Sequence, residues 1–156
     1  LQERTNRCTC KKIFVSMNKI LIDTDVILDF FFDRKPFSDD ATKILMLCER
    51  KVISGFVTPV IISNVYYLLR KTAKNEKVIE NLKMLINMID IATINKETIL
   101  EALNSDFKDF EDAIQNFSAQ YDKEIKVIVT RNIKDFKESS LSVMTPETYL
   151  RISDIR

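Results

Sequence analysis

Residues 18–22, Asn-Lys-Ile-Leu-Ile, are a short apolar run rich in β-branched residues. The run lacks the apolar–polar alternation of a strand with one wet face, so it reads as a strand buried on both sides. Residues 126–130, Lys-Val-Ile-Val-Thr, are the clearest such strand after it. Strands of this kind need helices on both faces of their sheet, and that demand constrains the fold most. The intervening segments supply the helices. Residues 37–50 place Phe37, Ala41, Ile44, Leu45 and Cys48 at helical spacing behind Ser38, a plausible N-cap. Residues 60–72 and 75–89 also read as helices, the latter with a stripe of Val78, Leu82, Leu85, Ile86 and Ile89. Two more follow at 95–104 and 109–121, where Phe110, Ala113, Ile114, Phe117 and Tyr121 mark the expected core face.

Further short strands fall within ISGFVTP (53–59), after the only Gly and closed by Pro59, at 90–94 and at 141–145. A helical turn, Asn132–Phe136, precedes the last of these, and a final helix starts at Pro146. The chain has one Gly and three Pro, too few turn residues for a loop-rich all-β fold. Strands alternating with helices, without hairpin signals, specify an α/β fold with a parallel sheet covered on both faces. Ligands of such open sheets bind beyond the carboxyl ends of the strands, near the switch in strand order.

The 156 residues suffice for one domain with a sizeable core, being 46% apolar and 30% charged. No apolar run approaches the roughly 20 residues of a membrane-spanning helix. The absence of His excludes histidine-based catalysis and His-ligated metal sites. Three Cys make neither a disulfide framework nor a four-ligand zinc site. Any metal would therefore be held by oxygen, which favours Mg²⁺ or Mn²⁺. Residues 1–16 hold four of the 24 basic residues and one of the 23 acidic ones. They are read as a leader, either a cloning remnant, an upstream mis-start or a disordered arm. The domain is expected over 17–150, with a tail at 151–156. Without the leader the charge is 20 basic against 22 acidic residues, or −2, so the basic tilt is no evidence of nucleic-acid binding. With no secretory signal the expected location is the cytoplasm.

The acids fall where the expected crevice lies. Asp23 ends the first strand, Glu111 and Asp112 sit in the first turn of the 109–121 helix, and Asn132 and Asp135 follow the Val127–Val129 strand. Oxygen ligands converging from separate elements are what a hard divalent cation needs, and such clusters activate water against phosphodiesters. A buried unpaired carboxylate costs several kcal/mol, and a cation would offset that cost for Asp23. Each acid also has a bland reading. Asp25 and Asp29 suit helix starts, and Asp109, Glu111 and Asp112 favour the helix dipole. Asn132 and Asp135 suit a turn. Tyr66 and Tyr67 read as packing rather than as a base-stacking platform, and Arg70, Lys71 and Lys74 as a solvated helix end. Only the convergence argues for a site.

Three stretches, ILIDTDVILDF (20–30), DFEDAIQ (109–115) and VIVTRNIKDF (127–136), closely resemble PIN-domain proteins in order and spacing. The similarity covers about residues 17–150, and this is the fold of the VapC-type toxin ribonucleases. It implies a three-layer sandwich, with a central parallel sheet of four to five short strands and helices on both faces. It also implies a Mg²⁺- or Mn²⁺-dependent ribonuclease site. By this resemblance Asp23 is the first metal-holding acid, Asp112 the third, and Asn132 or Asp135 the fourth. Thr130 matches a hydroxyl beside the metal, and Arg131 the basic residue that often follows it. The chain departs from the pattern at the second acid: Asn64 stands where Glu is common. An amide brings an oxygen but no charge. Asp25, where Asn is usual, is a candidate to return one carboxylate. The resemblance further implies an RNA substrate, a small antitoxin as partner and a homodimer. Arg131, Lys134 and Arg70 are the candidates to hold a substrate phosphate. Asn64 favours a second reading, a PIN scaffold that binds RNA or protein without cutting. A phospho-acceptor receiver domain, also an open parallel α/β fold, lacks its required Lys after the fifth strand here.

Overall fold

The structure, a computed structural model, describes residues 18–153, so the expected leader lies outside the described residues. Five strands form one parallel sheet: β1 (Lys19–Ile22), β2 (Ser54–Val57), β3 (Asp90–Ile91), β4 (Val127–Val129) and β5 (Ser142–Met144). Their spatial order is β3-β2-β1-β4-β5. The chain thus builds outward from β1 in one direction, then crosses to the other side for β4 and β5. The order switches between β1 and β4, where Ile22 pairs with Val129. Among the described residues seven α-helices surround the sheet: α1 (Thr24–Phe31), α2 (Ser38–Glu49), α3 (Pro59–Arg70), α4 (Asn75–Met88), α5 (Lys96–Leu103), α6 (Phe110–Tyr121) and α7 (Pro146–Ile152).

The side-chain alternation of the central strands divides the core. Ile20, Ile22, Val127 and Val129 pack on one face with residues of α1, α2, α3, α4 and α7. Leu21 and Ile128 point to the other, against Ala119 of α6, Ile125 and Phe136. All of these strand residues are fully buried, as a strand covered on both faces must be. A smaller cluster of Ala102, Ala113 and Ile114 joins α5 to α6 and fixes the angle of the helix that carries Glu111 and Asp112. The only glycine lies in β2, where a Cβ on Gly55 would sit 2.6 Å from Cys48 Sγ and 2.9 Å from Ile22 Cδ1. The absent side chain lets α2 approach the sheet.

Several elements differ from the sequence reading. α1 is not anticipated by periodicity, because it is apolar nearly all round and buries Val26 to Asp29 in succession. The strand expected over 90–94 has only two residues, both exposed at the sheet edge. Ser38 is the first residue of α2 rather than its cap, and Phe37 takes the cap position. Ile86, Phe110 and Tyr121, expected on core faces, are exposed.

Candidate active site

The carboxyl ends of β1 and β4 open onto a cleft of about 430 Å³. Asp23, Asp25, Asn64, Glu111, Asp112, Asn132 and Asp135, all expected at a site, line it. Asp23 occupies the switch point itself. Its backbone N–H donates to Val129 O at 3.0 Å, which extends the β1–β4 pairing by one residue. It is also the N-cap of α1, so its Oδ1 accepts from Thr24 N at 2.6 Å. The other oxygen, Oδ2, accepts from the Thr130 hydroxyl at 2.8 Å. Asp23 is only 7% exposed, and burial pushes its carboxyl above the ordinary range. Hydrogen bonds from Thr130, Gln115 and Thr24 pull it back in part.

Thr130 organises the loop after β4. Its Oγ1 accepts from Asn132 N at 3.0 Å while its proton goes to Asp23. Asn132 in turn donates its Nδ2–H to Asp135 Oδ2. On the facing wall, Asp109 caps α6 by accepting from Glu111 N and Asp112 N, which sets both acidic side chains in the first turn. Asp112 is pushed up to about 7, first by burial and then by the charges of Asp23, Asp109, Asp135 and Glu111. Glu111 is raised too, chiefly by burial, although the nearby Asn64 amide and the Thr24 hydroxyl, 3.4 Å from Oε1, oppose the rise.

Asp25 plays a different part. Its Oδ2 accepts from Arg131 N at 3.0 Å, so it latches α1 to the β4 loop. Burial first, then the neighbouring Asp23 charge, pushes it up to about 6. The candidate phosphate-binding cations are dispersed. Arg131 turns inward, with Nε 2.9 Å from Asp29 Oδ2 and its guanidinium 4.4 Å from the centre of the Phe37 ring. Asp29 is fully buried, and its ion pair with Arg131 offsets part of what burying that acid costs. Arg70 donates to Ala73 O at the far end of α3, away from the cleft. Lys134 lines an adjoining cavity of about 360 Å³ beside Asp112 and Asp135. Arg34 and Tyr67, which sequence reasoning did not assign to the site, line the main cleft. Arg34 lies outside every recognised motif. Tyr67 gave one signal, an aromatic on α3 three residues after Asn64.

The donors suit a hard divalent cation. They are carboxylate and amide oxygens, and Gln115, whose buried Oε1 has no hydrogen-bond partner, also borders the cleft. Among the described residues, however, no three acids or cysteines converge closely enough to cage an ion alone. The residues therefore fit an ion with few direct protein ligands, its shell completed by amides and water, as Mg²⁺ prefers.

An all-parallel sheet with carboxylates gathered at its switch point defines an α/β domain with an acidic cleft at the carboxyl end of its central strands. The sequence profile described as the PIN domain matches residues 19–134, and the chain belongs to the PIN-domain family, a family of nucleases. A search among curated proteins finds no match. Among solved structures, a chain from the crystal structure of VapBC2 from Rickettsia felis, bound to a DNA fragment from their promoter, is similar with a TM-score of 0.61. The sequences are 13% identical, and the match covers 81% of this chain and 96% of that one. At that identity the likeness is one of fold.

Proposed function

We propose that this chain is a metal-dependent ribonuclease that hydrolyses RNA phosphodiesters, and the toxin of a bacterial toxin–antitoxin pair. The observation that carries this reading is the convergence of Asp23, Asp112 and Asp135 with Asn64 and Asn132 on one switch-point cleft. Asp23 and Asp112 are the principal holders of Mg²⁺ or Mn²⁺, with Asp135, Asn132 and Asn64 completing the set. The bound cation would offset the mutual repulsion of these acids and lower the pKa of a coordinated water enough to make it a nucleophile. The protein's own contribution is positioning. Thr130 fixes the Asp23 carboxylate, Asp109 fixes the start of α6, and Asn132 holds Asp135. Lys134, beside Asp112 and Asp135, and Arg34, on the cleft wall, are placed to receive a phosphate. The domain charge of −2 makes non-specific RNA binding weak, so the cleft must supply the affinity.

A small antitoxin covering the cleft and a homodimeric, cytoplasmic protein complete the proposal. Support for the antitoxin comes from the fold shared with a chain of the VapBC2 complex. Among the described residues no helix is long and apolar enough to cross a membrane. Asn64 favours the second reading, a scaffold that binds without cutting. Titration of the purified protein with Mg²⁺ and Mn²⁺, with cleavage of a mixed RNA pool followed in parallel, separates the two. Cation-dependent cleavage that disappears in Asp23→Asn is expected. Cation binding without cleavage of any RNA would establish the scaffold, and no cation binding would sink the site assignment.

A further inference from the structure

Two adjacent tyrosines on α3 are placed differently. Side chains one residue apart on a helix point about 100° apart, so they cannot both face the core. Tyr66 packs against the main core, and its hydroxyl donates to Asn75 Oδ1 at 2.9 Å. Tyr67 turns outward and is 65% exposed. The packing role expected for both therefore holds for Tyr66 alone. Of the exposed aromatics among the described residues, Phe37, Tyr67, Phe110 and Tyr121, only Tyr67 lines the acidic cleft.

Its neighbours there differ from the rest of the lining. Lys71, at the end of α3 and four residues after Tyr67, sets its Nζ 4.9 Å from the centre of the Tyr67 ring. Leu28 and Leu68 line the same cleft, as does Arg34, whose guanidinium lies 5.1 Å from the centre of the Phe32 ring. These side chains come from α1, the turn after it and α3, and α1 packs against α3. The other lining side chains are acids, amides and one hydroxyl. An aromatic ring with aliphatic and cationic neighbours suits a strand of flat bases joined by phosphates. Electrostatics then decides which contact can carry the affinity. The cleft acids and the domain charge of −2 oppose a polyanion and weaken its phosphate contacts, whereas base stacking is neutral and escapes that penalty.

We propose that Tyr67 is the stacking platform for one base of the RNA substrate, with Lys71 over the other face of the ring and Arg34 on a phosphate of the same strand. The inference rests on the RNA reading given under Proposed function, and it adds a subsite that holds a base rather than the cation. A ring stacks only on a base splayed out of its helix, so the bound segment is unpaired at this point.

Fluorescence anisotropy with a labelled single-stranded RNA of about eight nucleotides and mixed sequence tests this on the full chain, in EDTA so that cation-dependent cleavage does not intervene. Tyr67→Ala should weaken binding at least about fivefold, the lower end of the effect of losing one stacking ring. Tyr67→Leu, apolar but without a π face, should fall with Tyr67→Ala, and Tyr67→Phe should stay within about twofold of wild type. Tyr67→Ala should leave the slope of log K against log salt unchanged, whereas Arg34→Gln should make it shallower by about 0.7, the effect of one lost phosphate contact on a single strand. A ribose-phosphate strand without bases should bind Tyr67→Ala and wild type equally. Tyr67 is exposed, so its variants should fold, which urea melts establish. Wild-type affinity in Tyr67→Ala or in Tyr67→Leu would overturn the proposal while leaving the RNA reading in place. A loss in Tyr67→Ala that persists with the base-free strand would also overturn it, by making the ring a support of the cleft rather than a platform for a base. Wild-type protein that binds no RNA, in EDTA or with Mn²⁺, would bring down both this assignment and the RNA reading beneath it.

Discussion

Replacing Asp112 by Asn should stabilise the cation-free protein and at the same time cripple its site. The Asp112 carboxyl is raised from 3.8 to about 7, by burial and by four neighbouring acids. At about 1.36 kcal/mol for each pH unit, that corresponds to a ceiling near 4 kcal/mol. The side chain borders an open cleft, so water and salt reduce the figure to about 2 kcal/mol. The direction follows from proton linkage. The folded protein holds this proton to a higher pH than the unfolded chain, so the wild type has its full stability below about pH 4 and loses this part of it as pH rises towards 7. Asp112→Asn has no proton to lose. In urea unfolding after EDTA treatment, the variant should exceed wild type by about 2 kcal/mol at pH 8, and the gap should close as pH falls towards 4. Saturating Mn²⁺ should reverse the order, since a ligand at 100 times its Kd adds about 2.7 kcal/mol to the protein that binds it. Equal stabilities at pH 8 without cation, or a gap that does not vary with pH, would refute the account of Asp112 as a repelled, half-buried acid.

Three other outcomes follow from the packing. Arg131→Met leaves Asp29 buried with only Arg34, 3.8 Å away, and should cost about 3–5 kcal/mol, whereas the double change with Asp29→Leu should recover most of it in urea melts. Gly55→Ala places a methyl 2.6 Å from Cys48 Sγ and should cost about 1–3 kcal/mol with a lower Tm, although the substitution is outwardly mild. Burial pushes the Cys48 thiol up to about 12, so a thiol reagent at pH 8 should modify it only as fast as the protein opens.

Much of the fold can be read from sequence, because strand and helix periodicities are local. The fully apolar Ile20–Ile22 and Val127–Val129 runs already demand a sheet covered on both faces, and both are completely buried. Asp23, Asp112, Asn132 and Asp135 can be identified because each sits at a recognisable point, a strand end, a helix start or a turn. The structure brings all four to one cleft. α1 escaped because an element buried on most sides has no polar face to reveal its period.

What sequence alone could not decide is which charges spend themselves on the protein and which remain available to a ligand. Arg131 has the look of a phosphate-binding residue, but the crossover that places β4 beside β1 also brings it to Asp29, and its guanidinium is spent on that buried acid. Glu111 looks like a dipole-favouring acid, but the fold brings it within 3.4 Å of the Thr24 hydroxyl and onto the same cleft as Asn64. These are contacts between residues distant in sequence. Local propensities determine the elements and the chemistry each can carry; only the parallel crossovers, by fixing which element ends share the switch point, determine which of those groups meet.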